Sequence, residues 1–289
     1  MAHPWLMGAR PRTLPAAVVP VAVGAACAVG EGGMIWWRVA AALVVSLALQ
    51  IGTNFANDYS DGVRGTDRGR VGPVRLVASG LVAPAAVKRA AVASFAVAAA
   101  AGTALAVAVG PELFVVGAAA IAAGWFYTGG PKPYGYHGFG ELFVFVFFGL
   151  VATAGTTYVV SEHLTALSLV AGAGVGALAC ALLVVNNLRD IPTDRVAGKR
   201  TLAVRVGDRW TRRFYIGLVA AAFVAAVACA AWWRSPAALA LVSLPLAVGP
   251  VRRIHGGASG RQLITVLGAT GRLQLGFGTS FAVGLALGG

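Results

Sequence analysis

The chain has 289 residues, of which 58% are hydrophobic and only 11% charged, with a formal net charge of +13. Soluble domains carry about 25% charged residues, so an ordinary water-soluble globular protein is excluded. Segments of roughly 20 apolar residues cross a hydrocarbon core about 30 Å thick, and nine follow one another here. They cover about 14–30, 36–56, 84–108, 112–128, 139–160, 165–188, 213–233, 236–251 and 271–288. They leave no room for a soluble domain, so residues 1–289 are read as one transmembrane domain. The first segment closes on Val23-Gly-Ala-Ala-Cys-Ala28, which has the look of a signal-peptide cleavage site. A second span follows at once, which favours a retained helix.

With nine spans, alternate connections share a side. All Lys and Arg residues except Arg38 and Arg234 then fall on the side of the N-terminus. This is the positive-inside pattern; it predicts a multi-pass cell-membrane protein with the N-terminus in the cytoplasm. The basic excess reports topology, so the expected partner is a lipid bilayer and not a nucleic acid. Cys27, Cys180 and Cys229 lie far apart in apolar stretches, without metal-ligand spacing or a disulfide framework. They read as small core residues.

Two cytoplasmic connections are long, about 57–83 and 189–212, and they hold every Asp of the chain: Asp58, Asp61, Asp67, Asp190, Asp194 and Asp208. Acidic residues contribute little to membrane orientation, so topology does not gather them there. The two stretches also match each other. At a constant offset of 133 residues, Asn54 matches Asn187, Asp61 matches Asp194, Val63 matches Val196 and Gly65 matches Gly198. This implies two related four-helix halves plus one helix, an arrangement that places sites between halves.

If the second span continues as a helix, Asn54, Asp58 and Asp61 share a face at i, i+4, i+7. Asn187, Asp190 and Asp194 do the same at i, i+3, i+7, although Pro192 predicts a kink or an end there. Clustered carboxylates need counter-charge. Ordinary pairing with Arg64, Arg68, Arg189 and Arg195 is one solution; a divalent cation is the other. Oxygen-only ligands without His or Cys suit Mg²⁺, which takes one or two carboxylates and fills its shell with water and phosphate oxygens. Interleaved basic residues, Arg64, Lys132, Lys199 and Arg200, suit a diphosphate, with Asn54, Asn57 and Asn187 beside the carboxylates as further contacts. No Walker-type glycine loop is present, which argues against a nucleoside triphosphate.

The run Asn57-Asp58-Tyr-Ser-Asp61 with Asp67, and the run Asp190-Ile-Pro-Thr-Asp194, resemble the two Asp-rich motifs of the UbiA superfamily of intramembrane prenyltransferases. The six-residue gap from Asp61 to Asp67 is longer than in much of that superfamily. It is similar to the branch that prenylates 1,4-dihydroxy-2-naphthoate in menaquinone synthesis. The stretches 54–75, 127–141 and 186–207 support that branch.

The resemblance implies nine helices around a central cavity capped by the Asp-rich loops. It implies Mg²⁺ at Asp58, Asp61, Asp67, Asp190 and Asp194, with Asp61, Asp190 and Asp194 central to catalysis. Lys132, Lys199 and Arg200 become diphosphate ligands. The reaction implied replaces the naphthoate carboxylate by a polyprenyl chain, with loss of CO₂ and diphosphate. Tyr59, Tyr127 and Tyr134 either shield an allylic cation with their ring faces or form an interfacial aromatic belt. His137 reads as solvated, Glu141 as a helix-dipole partner, and Gly172 and Gly176 as close-packing positions. Two alternatives stay open: the same chemistry on another aromatic acceptor, and a cation or lipid-phosphate transporter.

Overall fold

The computed structural model describes residues 3–66 and 74–289, and all its regular structure is helical among them. Asp67, expected to bind metal, lies outside the described residues. The order is α1 (Pro4–Ala9), a 3₁₀ turn (Pro11–Thr13), α2 (Pro15–Ala28), α3 (Trp36–Arg64), α4 (Pro84–Val109) and α5 (Glu112–Phe126). There follow α6 (Gly140–Ser161), α7 (Ala166–Val196), α8 (Leu202–Trp232), α9 (Ser235–His255) and α10 (Gln262–Leu287).

Each predicted segment is helical, but length and apolarity qualify fewer as spans. Among the described residues α3, α4, α6, α7, α8 and α9 are long and apolar enough. A seventh candidate is the pair Pro4–Thr13 and Pro15–Ala28, bent by 49°. With 15 residues, α5 is only about 22 Å long at 1.5 Å per residue. In α10 polar residues interrupt the apolar run, and Thr270 and Gln274 are themselves buried. The segment that ends like a signal peptide is a core helix: Val23 and Cys27 in α2 are fully buried.

Both Asp-bearing connections begin as continuations of the preceding helix. Asp58 and Asp61 lie in the last two turns of α3, and Asp190 and Asp194 in those of α7. Pro192 does not end α7, which continues to Val196. So close to the terminus, a missing N–H removes one ladder bond without many downstream turns to lose. Thr193 also ties its hydroxyl to the Asp190 carbonyl at 3.0 Å. Downstream, Leu202 already starts α8, which breaks at Gly207 (φ 80°), a left-handed conformation that glycine adopts without strain. Asp208 then pairs with Arg212 at 2.6 Å and faces no shared cluster.

Between helices in lipid, packing replaces the hydrophobic drive, and small residues let backbones approach. Gly172 and Gly176 of α7 do this against Gly149 of α6. A Cβ on Gly149 would stand 2.5 Å from the Gly176 Cα, and one on Gly172 3.1 Å from the Gly149 carbonyl oxygen. The contact lies where α6 winds as a π-helix, Phe145–Val151. The three cysteines are buried and free.

Arg38 and Arg234, the two exceptions to the expected charge asymmetry, are buried clamps. Arg234 donates to the carbonyls of Ala26 (2.9 Å), Cys27 (3.1 Å), Val29 (2.6 Å) and Leu285 (2.9 Å), closing the ends of α2 and α10. Arg38 donates to Val159 (3.0 Å), Ala108 (3.2 Å) and the Glu162 carboxylate (2.8 Å), closing α4 and α6. Cations at helix C-termini satisfy carbonyls that have no intrahelical partner.

Candidate active site

A cavity of about 840 Å³ with largely apolar walls runs between α2, α3, α4, α5, α6, α7 and the start of α10. Along α3 its lining extends from Ala42 to Asp61, about 28 Å at 1.5 Å per residue. Asp61, Asn57 and Asn54 line it from α3, and Asn187, Asp190 and Asp194 from α7, together with Lys199 from the α7–α8 connection. The two Asp-bearing helix ends therefore meet at one cavity, as their matching spacing suggests.

Asp61 is 3% exposed, and both its oxygens are engaged. Lys199 Nζ lies 3.1 Å from Oδ2, and the Tyr136 hydroxyl donates to Oδ1 at 2.5 Å. The Lys199 ammonium also sits 4.6 Å from the centre of the Tyr136 ring. Burial pushes the Lys199 pKa down, but Asp61, Tyr136 and Asp194 outweigh it, so the ammonium is held above the ordinary lysine value. Burial, and next the Asp61 charge, push the Tyr136 hydroxyl up. Both groups therefore stay protonated donors at neutral pH. Asp190 is held by both forks of its neighbour Arg189, at 2.7 and 2.9 Å. Asp194 is half-buried on the same wall.

Other predicted residues are placed differently. Three residues from Asp61 is about 60° round a helix, which turns Asp58 out of the cavity lining. Its two oxygens accept the amides of Leu76 (2.9 Å) and Val77 (3.0 Å), so it fastens the segment after α3. Asn54 lines the cavity, but its amide nitrogen donates to the Ala9 carbonyl (2.9 Å) and to Thr13 Oγ1 (3.0 Å). It clamps the bent N-terminal segment and holds Arg10 at the cavity wall. Asn57 accepts from the Thr128 hydroxyl at 2.7 Å. Arg64 spends its guanidinium on the carbonyls of Thr128 and Gly130. Lys132 and Arg200 are exposed and outside the cavity lining.

Among the tyrosines, Tyr59 is outside the lining and stacks on Trp125 at 6.5 Å. Tyr127 and Tyr134 do line the cavity and meet edge to face at 5.6 Å. Phe143 stacks on Tyr134 at 3.9 Å and Phe147 continues the wall. His137 is exposed. Tyr136, Arg10 and Arg75 are cavity residues that reading the sequence missed. Arg10 carries a sign of its own, a left-handed φ of 54°, but no sequence pattern announces it.

Comparison with known proteins agrees with this architecture. A protein of Mycobacterium tuberculosis named 1,4-dihydroxy-2-naphthoate octaprenyltransferase is 50% identical over 286 residues, 98% of this chain and 97% of the relative. An Escherichia coli protein of the same name is 37% identical over 76% of this chain and 74% of its own length. Among solved structures, a UbiA homolog from Archaeoglobus fulgidus bound to GPP and Mg²⁺ superposes with a TM-score of 0.65. It covers 97% of this chain and all of its own at 16% identity, which bears on the fold alone. The sequence model of the UbiA prenyltransferase family matches residues 17–262, and this chain belongs to that family.

Proposed function

We propose that this chain transfers a polyprenyl group from polyprenyl diphosphate to 1,4-dihydroxy-2-naphthoate, with Mg²⁺ and with loss of CO₂ and diphosphate. The product of that step is demethylmenaquinol. One observation carries the reading: carboxylates from two separate helices, Asp61 on α3 and Asp190 and Asp194 on α7, line one largely apolar cavity with Lys199. The 50% identical relative's name supports the acceptor. We read the chain as one domain with nine membrane spans, its N-terminus and Asp-bearing helix ends facing the cytoplasm.

Asp61, Asp190 and Asp194 would hold the metal. They are oxygen donors only, and among the described residues no three His, Cys, Asp or Glu side chains form a ready-made ion site, so water and substrate phosphate oxygens would have to complete the shell. That donor set fits magnesium, which relies on one or two carboxylates plus water and substrate phosphates. Bound magnesium neutralises charge on the departing diphosphate. Lys199 and the Tyr136 hydroxyl, protonated and already at Asp61, would stabilise that charge by hydrogen bonding. The allylic C–O bond breaks with its electron pair going to diphosphate, the acceptor's ring carbon that bears the carboxylate supplies the pair for the new C–C bond, and the C–CO₂ bond at that carbon then breaks, returning its pair to the ring and releasing CO₂. Tyr127 and Tyr134 present ring faces or edges to the cavity, and its apolar walls keep water from the cation.

The discriminating experiment is purified protein with a polyprenyl diphosphate and a panel of acceptors: dihydroxynaphthoate, a hydroxybenzoate, a homogentisate and a chlorin. Prenylated naphthol with CO₂ release is expected from the first alone. Product from another acceptor reassigns the substrate, and diphosphate-independent cation flux would favour transport.

A further inference from the structure

Glu141 opens α6 and is buried, 5% exposed, against α7 and the first turns of α8. Its neighbours on the side away from the cavity are apolar or neutral: Val184, Leu202, Ala203, Val206 and Phe214. Oε1 accepts the Asn187 amide nitrogen at 2.8 Å, while Oε2 is buried with no hydrogen-bond partner. A buried carboxyl with an orphaned oxygen is costly, and the N-terminus of α6 relieves only part of that cost. Packing alone would favour an apolar side chain here.

What Glu141 does set is the sense of an amide. A side-chain amide offers donors from one end and an acceptor from the other, and it can sit either way round. A carboxylate only accepts, so Asn187 must turn its nitrogen to Glu141 and its oxygen away. Asn187 lines the active-site cavity one turn before Asp190 and two before Asp194. We propose that Glu141 is a positioning residue: it fixes Asn187 so that α7 presents oxygens, and not N–H groups, to the magnesium diphosphate. The proposal rests on the function inferred above. A reversed amide would put two N–H donors where a cation has to approach.

The test uses full-length protein in detergent and an unreactive polyprenyl thiodiphosphate, with binding measured with and without Mg²⁺ and unfolding followed in parallel. Glu141→Gln keeps size and hydrogen bonding but can donate to the Asn187 oxygen and release the amide from its set direction. Mg²⁺-dependent binding is expected to weaken about ten- to a hundredfold, the loss typical of groups that orient metal ligands, with Tm unchanged. In Glu141→Gln/Asn187→Asp, a donor at 141 faces an oxygen-only side chain at 187, and binding recovers to within about threefold of wild type. Wild-type binding by Glu141→Gln overturns the proposal, as does a double variant that folds and stays weak. If wild type itself shows no Mg²⁺-dependent binding, the underlying function fails instead.

Discussion

Removing the Lys199 ammonium tests the electrostatics of the cavity most sharply. The pair with Asp61 is buried on both sides, with side-chain exposures of 9% and 5%. Two unit charges 3.1 Å apart attract by about 5 kcal/mol at an effective dielectric constant near 20. Lys199→Met forfeits that attraction but also recovers the desolvation of the ammonium. Tyr136 still donates to the carboxylate left behind. The low end of the range for breaking a buried pair therefore applies, about 3 kcal/mol. For a chain of this size that is a fall in Tm of about 6–12 °C, read by thermal unfolding of ligand-free protein in detergent.

The pH dependence carries a sign. Asp61 and its neighbours hold the folded Lys199 pKa above its value of 10.5. A raised pKa contributes stability that is complete below the unfolded value and is lost as pH rises through the folded one. The gap between wild type and variant should stay level from about pH 6 to about pH 9 and close only under strong alkali. A variant within about 2 °C of wild type at neutral pH, or a gap that closes on acidification through neutrality, refutes the reasoning.

Asp61→Asn and Asp194→Asn should each abolish turnover while membrane insertion, measured by fractionation, is unchanged; most activity surviving in either contradicts a metal role. Lys132→Ala and Arg200→Ala, both exposed and away from the cavity, should keep kcat/KM within about twofold of wild type, an effect under about 0.5 kcal/mol. Arg234→Met strips four carbonyls of their donor and should cost at least about 3 kcal/mol, seen as a lower Tm with KM unchanged.

The membrane class, the helix positions and the convergence of two Asp-bearing segments were legible from apolar run lengths and repeated spacing, because each is a local pattern. Asp61 and Asp194, which the repeat pairs, line the same cavity. Asp58 lies on the same helix outside that lining, because the rotation per residue aims it at the Leu76 and Val77 amides, whose position depends on how the next segment folds back. Lys132 and Lys199 look equivalent as isolated cations in loops. Only tertiary placement buries one against Asp61 and leaves the other at the surface. Nothing in the sequence marks Tyr136, since the 3₁₀ turn Tyr134–His137 that carries it has no amphipathic signature. Pro192 does not end α7, because so near the terminus the helix loses little by one missing N–H. Arg38 and Arg234 were legible as exceptions to the charge asymmetry; their use as carbonyl clamps required helix ends far apart in sequence to be brought together.

The most direct measurement is a structure of the protein with Mn²⁺ and an unreactive polyprenyl thiodiphosphate, with the metal located by its anomalous signal. The central claim is that one diphosphate is gripped between α3 and α7. It predicts metal peaks about 2.0–2.2 Å from carboxylate oxygens of Asp61 and of Asp190 or Asp194, with Lys199 moved from Asp61 onto the diphosphate. A bound ligand with no metal at either helix end, and Lys199 still paired with Asp61, would contradict it.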